Sequence, residues 1–170
     1  WIVLAAVAIQ RLAELVLARR NTAALLARGA TEVGAAHYPV IVAVHALWLV
    51  AIAVWVARLS PAIMPGWLAL YVALQGVRVW VLVSLGAYWT TRVITLPDAP
   101  LVRRGPYRFM RHPNYAVVIA EIAVLPLVFG AWEIALVFSI LNALVLAVRL
   151  RVENGELNRR PTTAAPVSPR

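Results

Sequence analysis

An all-α, polytopic membrane bundle of about five transmembrane helices is the fold this sequence predicts. Hydrophobic residues make up 63% of the 170-residue chain, against about half in an ordinary soluble domain. The mean hydropathy is +0.82. The apolar residues also fall into blocks long enough to cross a bilayer, with most arginines gathered between them.

A helix needs about 20 apolar residues to span the hydrocarbon core. The first block runs from Trp1 to about Ala18 and contains Arg11 and Glu14. It lacks a cleavage pattern and charges follow it, which predicts a retained anchor. The second block covers about Tyr38 to Ala57, and the third about Ala62 to Leu85, interrupted by Arg78. The last, Tyr115 to Val148, has room for two helices. Pro126 and the Gly130-Ala131 pair predict a tight hairpin inside it. Between the third and last blocks, "RVITLPDAPLVRRGPY" combines a short β-like run with three prolines and several charges. An ordered segment packed under the bundle is expected there. The composition of "PTTAAPVSPR" at the end predicts disorder from residue 158 to 170, after a membrane domain over 1–157. No internal repeat is present.

All 16 basic residues are arginine, and the formal net charge is +9. Nucleic acid is not the expected partner, because the arginines flank apolar spans and act as topology signals. Thirteen of them lie in 19–35, 86–114 and 149–170. Five spans put these three regions on one side, with Arg58 in the opposite loop; four spans would strand the tail. The excess of arginine makes that side cytoplasmic, with the N-terminus outside. The absence of cysteine excludes disulfides, thiolate metal sites and a cysteine nucleophile. His37 and His45, eight positions apart beside Tyr38, lack a third ligand, so no metal is expected and satisfied polar roles are.

Charges within apolar spans cost about 2.5–3.5 kcal/mol each at a helix centre, so each should face a partner or a wet cavity. Arg11 and Glu14 are spaced to pair along one helix. Arg78 has two options, snorkelling to the boundary or pairing with Glu121. Glu121 itself is open between a place in a binding site and a structural role. Glu133 should sit solvated at the outer hairpin turn.

"GPYRFMRHPNY", Gly105 to Tyr115, is the polar stretch that precedes the last apolar block. Pro113 biases His112 away from helix and suits the first helical position, so a helix should start there with His112 near its N-cap. Its open N–H groups, with Arg108 and Arg111 beside them, suit an anion. Tyr107 and Tyr115 offer rings and hydroxyls. A ligand carboxylate or phosphate and the headgroups of anionic membrane lipids both fit this description. In "RLRVENGEL", Arg149, Glu153 and Glu156 share one face if the helix continues past Gly155, and leave Glu156 aside if it does not.

Together, "LVRRGPYRFMRHPNY", the hairpin after it, Arg149-x-x-x-Glu153-x-x-x-Leu157 and "SLGAYWTTRVITL" resemble the isoprenylcysteine carboxyl methyltransferase family. "RLAELVLARRN", "GATEVGAAHYP" and "LPDAPLVRRGPY" resemble a bacterial branch, found with type III polyketide synthases, that O-methylates alkylpyrones or alkylresorcinols. The resemblance covers roughly residues 10–157. It implies S-adenosylmethionine as methyl donor, in a pocket built from about 86–157 at the cytoplasmic face of a bacterial plasma membrane. His112, Pro113 and Tyr115 would line that pocket with Arg111 beside them, and Tyr107 and Glu121 complete the candidate set. Arg149 and Glu153 would stand near the acceptor, a lipophilic small molecule or prenylated group entering from the bilayer. Two departures bear on the acceptor: Glu153 is followed by Asn154 where the family often has a second carboxylate, and the tail lacks the family's tyrosine. No Gly-x-Gly fingerprint is present, which excludes a soluble-type cofactor domain. A small transporter would show an inverted repeat and polar groups at the midplane. That reading, a non-catalytic membrane scaffold, and a reductase of the related sterol-reductase superfamily are the rivals. No feature of the sequence fixes an oligomeric state.

Overall fold

The computed structural model describes residues 1–96 and 102–159, with the side chains of His37 and 156–159 left aside. Five helices follow one another: α1 (Ile2–Leu26), α2 (Tyr38–Leu59), α3 (Pro65–Leu85), α4 (Pro113–Val128) and α5 (Trp132–Arg159). Two short strands, β1 (Thr31–Val33) and β2 (Val93–Thr95), pair antiparallel with Glu32 opposite Ile94. This bears out the all-α bundle. To the helices the structure adds the two-stranded ribbon, of which the β-like run was the visible half.

The chain alternates up and down. The 60–64 and 129–131 connections meet at one end, where the Met64 N–H bonds the Val128 carbonyl at 2.9 Å and the Trp55 indole bonds the Phe129 carbonyl at 3.1 Å. The ribbon joins the α1–α2 and α3–α4 connections at the other end, beside the last turns of α5. The hairpin lies where expected. α4 continues through Pro126, and Gly130 at φ +66 turns the chain into α5. Helix α5 continues past Gly155, and the remainder of the expected tail, 160–170, lies outside the described residues.

α2, α3 and α5 are long and apolar enough to cross a membrane. α1 is 25 residues long but carries Arg11, Glu14, Arg19 and Arg20. α4, with 16 residues, is only about 24 Å long. It is the enclosed helix of the bundle, burying Val117, Ile122, Val124, Leu125 and Val128 against Trp48, Ile52 and Tyr71 of its neighbours. The outer helices turn Val50, Val72, Val83, Leu136 and Leu144 outward. Such wide apolar exposure suits lipid rather than water.

Four charges lie inside the bundle. Arg11 and Glu14 pair at 3.0 Å along α1, as their spacing predicts. Arg78 clasps Glu14 through Nε and Nη2 at 2.5 Å each and reaches Glu121 through Nη1 at 2.8 Å. Arg11 also contacts Glu121, at 2.9 Å. Gln75 donates to Glu121, and Gln10 to Glu14. Two positive and two negative charges thus close on themselves and join α1, α3 and α4. Pairing, not snorkelling, is how Arg78 is accommodated. Glu133 is exposed in the first turn of α5.

One glycine fixes the segment below the bundle. Gly105 has φ +55, and a Cβ there would come within 2.0 Å of Ser84 Oγ. The chain can therefore lie directly on the end of α3 only with glycine at 105. Arg104 locks the contact by donating to the Ser84 carbonyl at 2.6 Å. This seat sets the path of Tyr107, Arg111 and His112 into α4.

Arg78→Met leaves Glu14 and Glu121 short of a cation and is expected to cost about 3–5 kcal/mol. The measurement is thermal unfolding of the detergent-solubilised protein. Arg78→Met combined with Glu14→Met removes one charge of each sign, and should lose less than Arg78→Met alone.

Candidate active site at the ribbon end

Pro113 opens α4 without a side-chain cap, because the His112 side chain turns elsewhere. Its Nε2 lies 2.9 Å from Asn154 Oδ1, and its Nδ1 lies 3.6 Å from Glu153. Arg149 and Glu153 are four positions apart, so both project from one face of α5 toward α4. Between them stands Tyr115, whose hydroxyl donates to Glu153 and accepts from Arg149 Nε at 2.7 Å. The rings of His112 and Tyr115 stack at 5.3 Å, and the Arg149 guanidinium lies over the Tyr115 ring. Arg149 Nη1 extends the chain to the Thr91 carbonyl at 2.8 Å.

The segment after α3 is tied down from the other side. Asn21 of α1 donates to the carbonyls of Gly86 and Trp89, at 3.1 and 2.8 Å. Tyr38 and Thr91 share a hydroxyl hydrogen bond at 3.1 Å, and Arg92 pairs with Glu32 across the ribbon at 2.7 Å.

Two cavities meet at this place. The first, about 300 Å³, opens at the ribbon end and is lined by Tyr88, Arg103, Tyr107, Arg111, His112 and Glu153 among others. The second, about 430 Å³, runs into the bundle between apolar side chains such as Leu12, Leu15, Ile41, Leu49 and Val118, with the four-charge cluster on its wall. Trp89, Thr90, Asn114, Tyr115 and Arg149 belong to both linings.

Of the residues expected from sequence, His112, Tyr115, Tyr107, Arg111, Arg149 and Glu153 converge on the first cavity. Pro113 is buried behind them as the first residue of α4. Glu121 lies apart from the first cavity, bound to Arg11 and Arg78 on the wall of the second. His45 bonds the Ile41 carbonyl at 2.8 Å, a satisfied polar role. Among the described residues no group of three His, Cys, Asp or Glu is placed to hold a metal. Sequence reasoning passed over Trp89, Thr91 and Asn114. Only the tryptophan-threonine-threonine run beside the β-like strand hinted at them.

A model of the isoprenylcysteine carboxyl methyltransferase family matches residues 67–159, the stretch that builds both cavities' common wall. The chain belongs to this family of membrane methyltransferases. A Bacillus subtilis protein, "Uncharacterized protein YpbQ", is 41% identical over 160 residues, covering 92% of this chain and 95% of that protein. An "Uncharacterized protein" of Haemophilus influenzae is 32% identical over 80 residues, 46% of each chain. No solved structure matches the chain. The family match takes in the Arg-His-Pro-x-Tyr core and the Arg149 to Glu153 turn, and the structure brings those two pieces into contact.

Hydrogen bonding to Glu153 raises the His112 pKa above its ordinary value of 6.5, against the opposing effect of burial. Burial, reinforced by the charge of Glu153, raises that of the Tyr107 phenol, which stays a neutral hydroxyl. A raised histidine pKa means that protonated His112 stabilises the fold fully below pH 6.5 and loses that contribution as pH rises through the folded value. The melting temperature difference between wild type and His112→Gln should therefore be largest in mild acid and shrink toward alkaline pH. A pH-independent difference would show that folding leaves the imidazole pKa unchanged, and a difference that shrinks toward acid would show that the imidazole is held neutral.

Proposed function

We propose that this protein is an S-adenosylmethionine-dependent O-methyltransferase of the bacterial plasma membrane. It methylates a carboxyl or hydroxyl oxygen of a lipophilic acceptor of the alkylpyrone, alkylresorcinol or prenylcysteine type. The observation that carries this reading is the meeting of two unlike cavities at one wall. A polar, cationic cavity and an apolar one suit a charged donor and a lipid acceptor, brought together at a single point.

The residues of the first cavity fit the donor. Arg103, Arg111 and the uncapped start of α4 suit its carboxylate. Tyr88 and Tyr107 offer ring surface for its adenine, and Glu153 a charge opposite to its sulfonium. When bound, S-adenosylmethionine supplies a methyl group that passes by in-line displacement to a nucleophilic oxygen. The protein's part is alignment and exclusion of water. Trp89, Thr90 and Asn114 close the wall around the point of transfer. Arg149 offers positive charge to the acceptor oxygen from the side of Tyr115. Glu153 borders only the first cavity, so a hydroxyl proton released in the second reaches it through the Tyr115 hydroxyl. A carboxylate acceptor arrives ionised and leaves that route unused. The apolar cavity takes the acceptor's tail. The arginine-bearing end, with Arg92, Arg103, Arg108 and Arg111, faces the cytoplasm by the positive-inside rule.

Saturable binding of S-adenosylhomocysteine to the purified protein in detergent is expected, with at least tenfold loss in His112→Ala. Calorimetry measures both; a wild type that binds nothing would overturn the enzyme reading. Transfer of labelled methyl to a 4-hydroxy-6-alkyl-2-pyrone, a 5-alkylresorcinol or an S-farnesylcysteine then identifies the acceptor.

Glu153→Gln keeps an oxygen for Tyr115 but removes the base. Turnover of a hydroxyl acceptor should fall by about 10²-fold, the usual scale of general-base catalysis. Turnover of a carboxyl acceptor should fall far less, so rates on the two acceptor types separate proton removal from mere positioning.

A further inference from the structure

Three buried side-chain polar atoms among the described residues have no hydrogen-bond partner: Tyr71 Oη, Trp89 Nε1 and Asn114 Oδ1. Two of the three, those of Trp89 and Asn114, belong to residues of the wall shared by both cavities. An unpaired buried donor costs about 1–3 kcal/mol, and native folds seldom tolerate one without use.

The other indoles packed into the core are satisfied. Trp48 donates to the Ile122 carbonyl at 3.2 Å and Trp55 to that of Phe129 at 3.1 Å. Trp89 is as enclosed as Trp48, at 3% against 2% exposure, yet its indole N–H goes unanswered. Its backbone is pinned as well: the Trp89 N–H bonds the Gly86 carbonyl at 3.0 Å, and Asn21 holds the Trp89 carbonyl at 2.8 Å. The residue is thus fixed at the junction of the two cavities, with an indole donor to spare. Tyr115 and Arg149 of the same wall are engaged with each other and with their neighbours. The Tyr115 hydroxyl donates to Glu153 and accepts from Arg149, and Arg149 spends Nη1 on the Thr91 carbonyl.

We propose that Trp89 is an acceptor-binding residue, donating its indole N–H to an oxygen of the methyl acceptor beside the one that is methylated. This rests on the methyltransferase reading above. An indole only donates, so its partner must be an acceptor atom. A hydrogen bond to the attacking oxygen itself would lower its nucleophilicity. The N–H therefore belongs to a second oxygen, conjugated with the first. That selects acceptors in which a carbonyl-type oxygen shares the charge of the nucleophile: a carboxylate, or the enol of a hydroxypyrone. A resorcinol lacks it.

The test is carried out on the full chain in detergent with ¹⁵N-labelled indoles. The Trp89 resonance is identified by its loss in Trp89→Phe, which keeps an apolar ring. A 4-hydroxy-6-alkyl-2-pyrone or an S-farnesylcysteine should move that indole proton downfield. S-adenosylhomocysteine alone and a 5-alkylresorcinol should leave it in place. Steady-state rates on whichever acceptor turns over should show a KM about tenfold higher in Trp89→Phe, the loss of one hydrogen bond. Affinity for S-adenosylhomocysteine should be unchanged. The proposal is overturned if none of the three acceptors moves the resonance, if the resorcinol moves it as far as the pyrone, or if S-adenosylhomocysteine alone moves it. The last result would assign the indole to the donor. Failure of the methyltransferase reading is seen separately, as a wild type without S-adenosylhomocysteine binding, since the acceptor titrations are read without the donor as well.

Discussion

The buried quartet of Arg11, Glu14, Arg78 and Glu121 is the constraint on which the rest of the bundle depends. No single member is tolerable alone in an apolar interior. Each guanidinium answers both carboxylates, and each carboxylate answers both guanidiniums. The quartet fixes the depth of α1 against α3 and of α3 against α4, because sliding any helix by one turn would break contacts at two corners. Non-directional apolar packing alone would leave the register of such helices loosely specified. Fixing α4 fixes its first turn, and with it the position of His112 and Tyr115 under the end of α5.

The same quartet stands on the wall of the apolar cavity, which Tyr115 and Arg149 also line. The second cavity therefore has one neutralised ionic wall and one polar junction, with hydrocarbon between. A small bundle of five helices has little room for both a packed core and a ligand channel. Here the apolar core of Trp48, Ile52, Ile122 and Leu125 is pressed toward the opposite end. The ribbon end is left for the site. The two-stranded ribbon and the Gly105 seat then close what helices alone leave open.

Much of this was legible in the sequence where the signal is local. The spans show in hydropathy, the α4–α5 turn in Gly130, and the start of α4 in the His112-Pro113 step. The Arg11–Glu14 pair and the Arg149–Glu153 face follow from helical spacing. Contacts between distant segments left fainter traces. The β1 strand is three residues long and meets its partner 60 positions away through Glu32 and Arg92, so no window on the chain reveals it. Glu121 was equally open to a structural and a binding role, because its partners on α1 and α3 are 110 and 43 residues distant. Trp89 looks from sequence like one more aromatic residue at a membrane boundary. Only three-dimensional accounting shows that its N–H, alone among the indoles of the core, has nothing to bond.

Polar groups at the junction fall into two classes. Tyr115, Arg149, Glu153 and His112 form a closed chain in which every bond has a partner within the protein. Such a chain holds its geometry before any ligand arrives. Trp89 and Asn114 stand outside it, with atoms left over. A wall made entirely of the first class would be rigid but indifferent to what enters. One made entirely of the second would have to be ordered by each ligand in turn. Placing both on the same short segment of wall gives a junction whose geometry is set by the fold and which keeps two polar groups that the fold leaves unanswered.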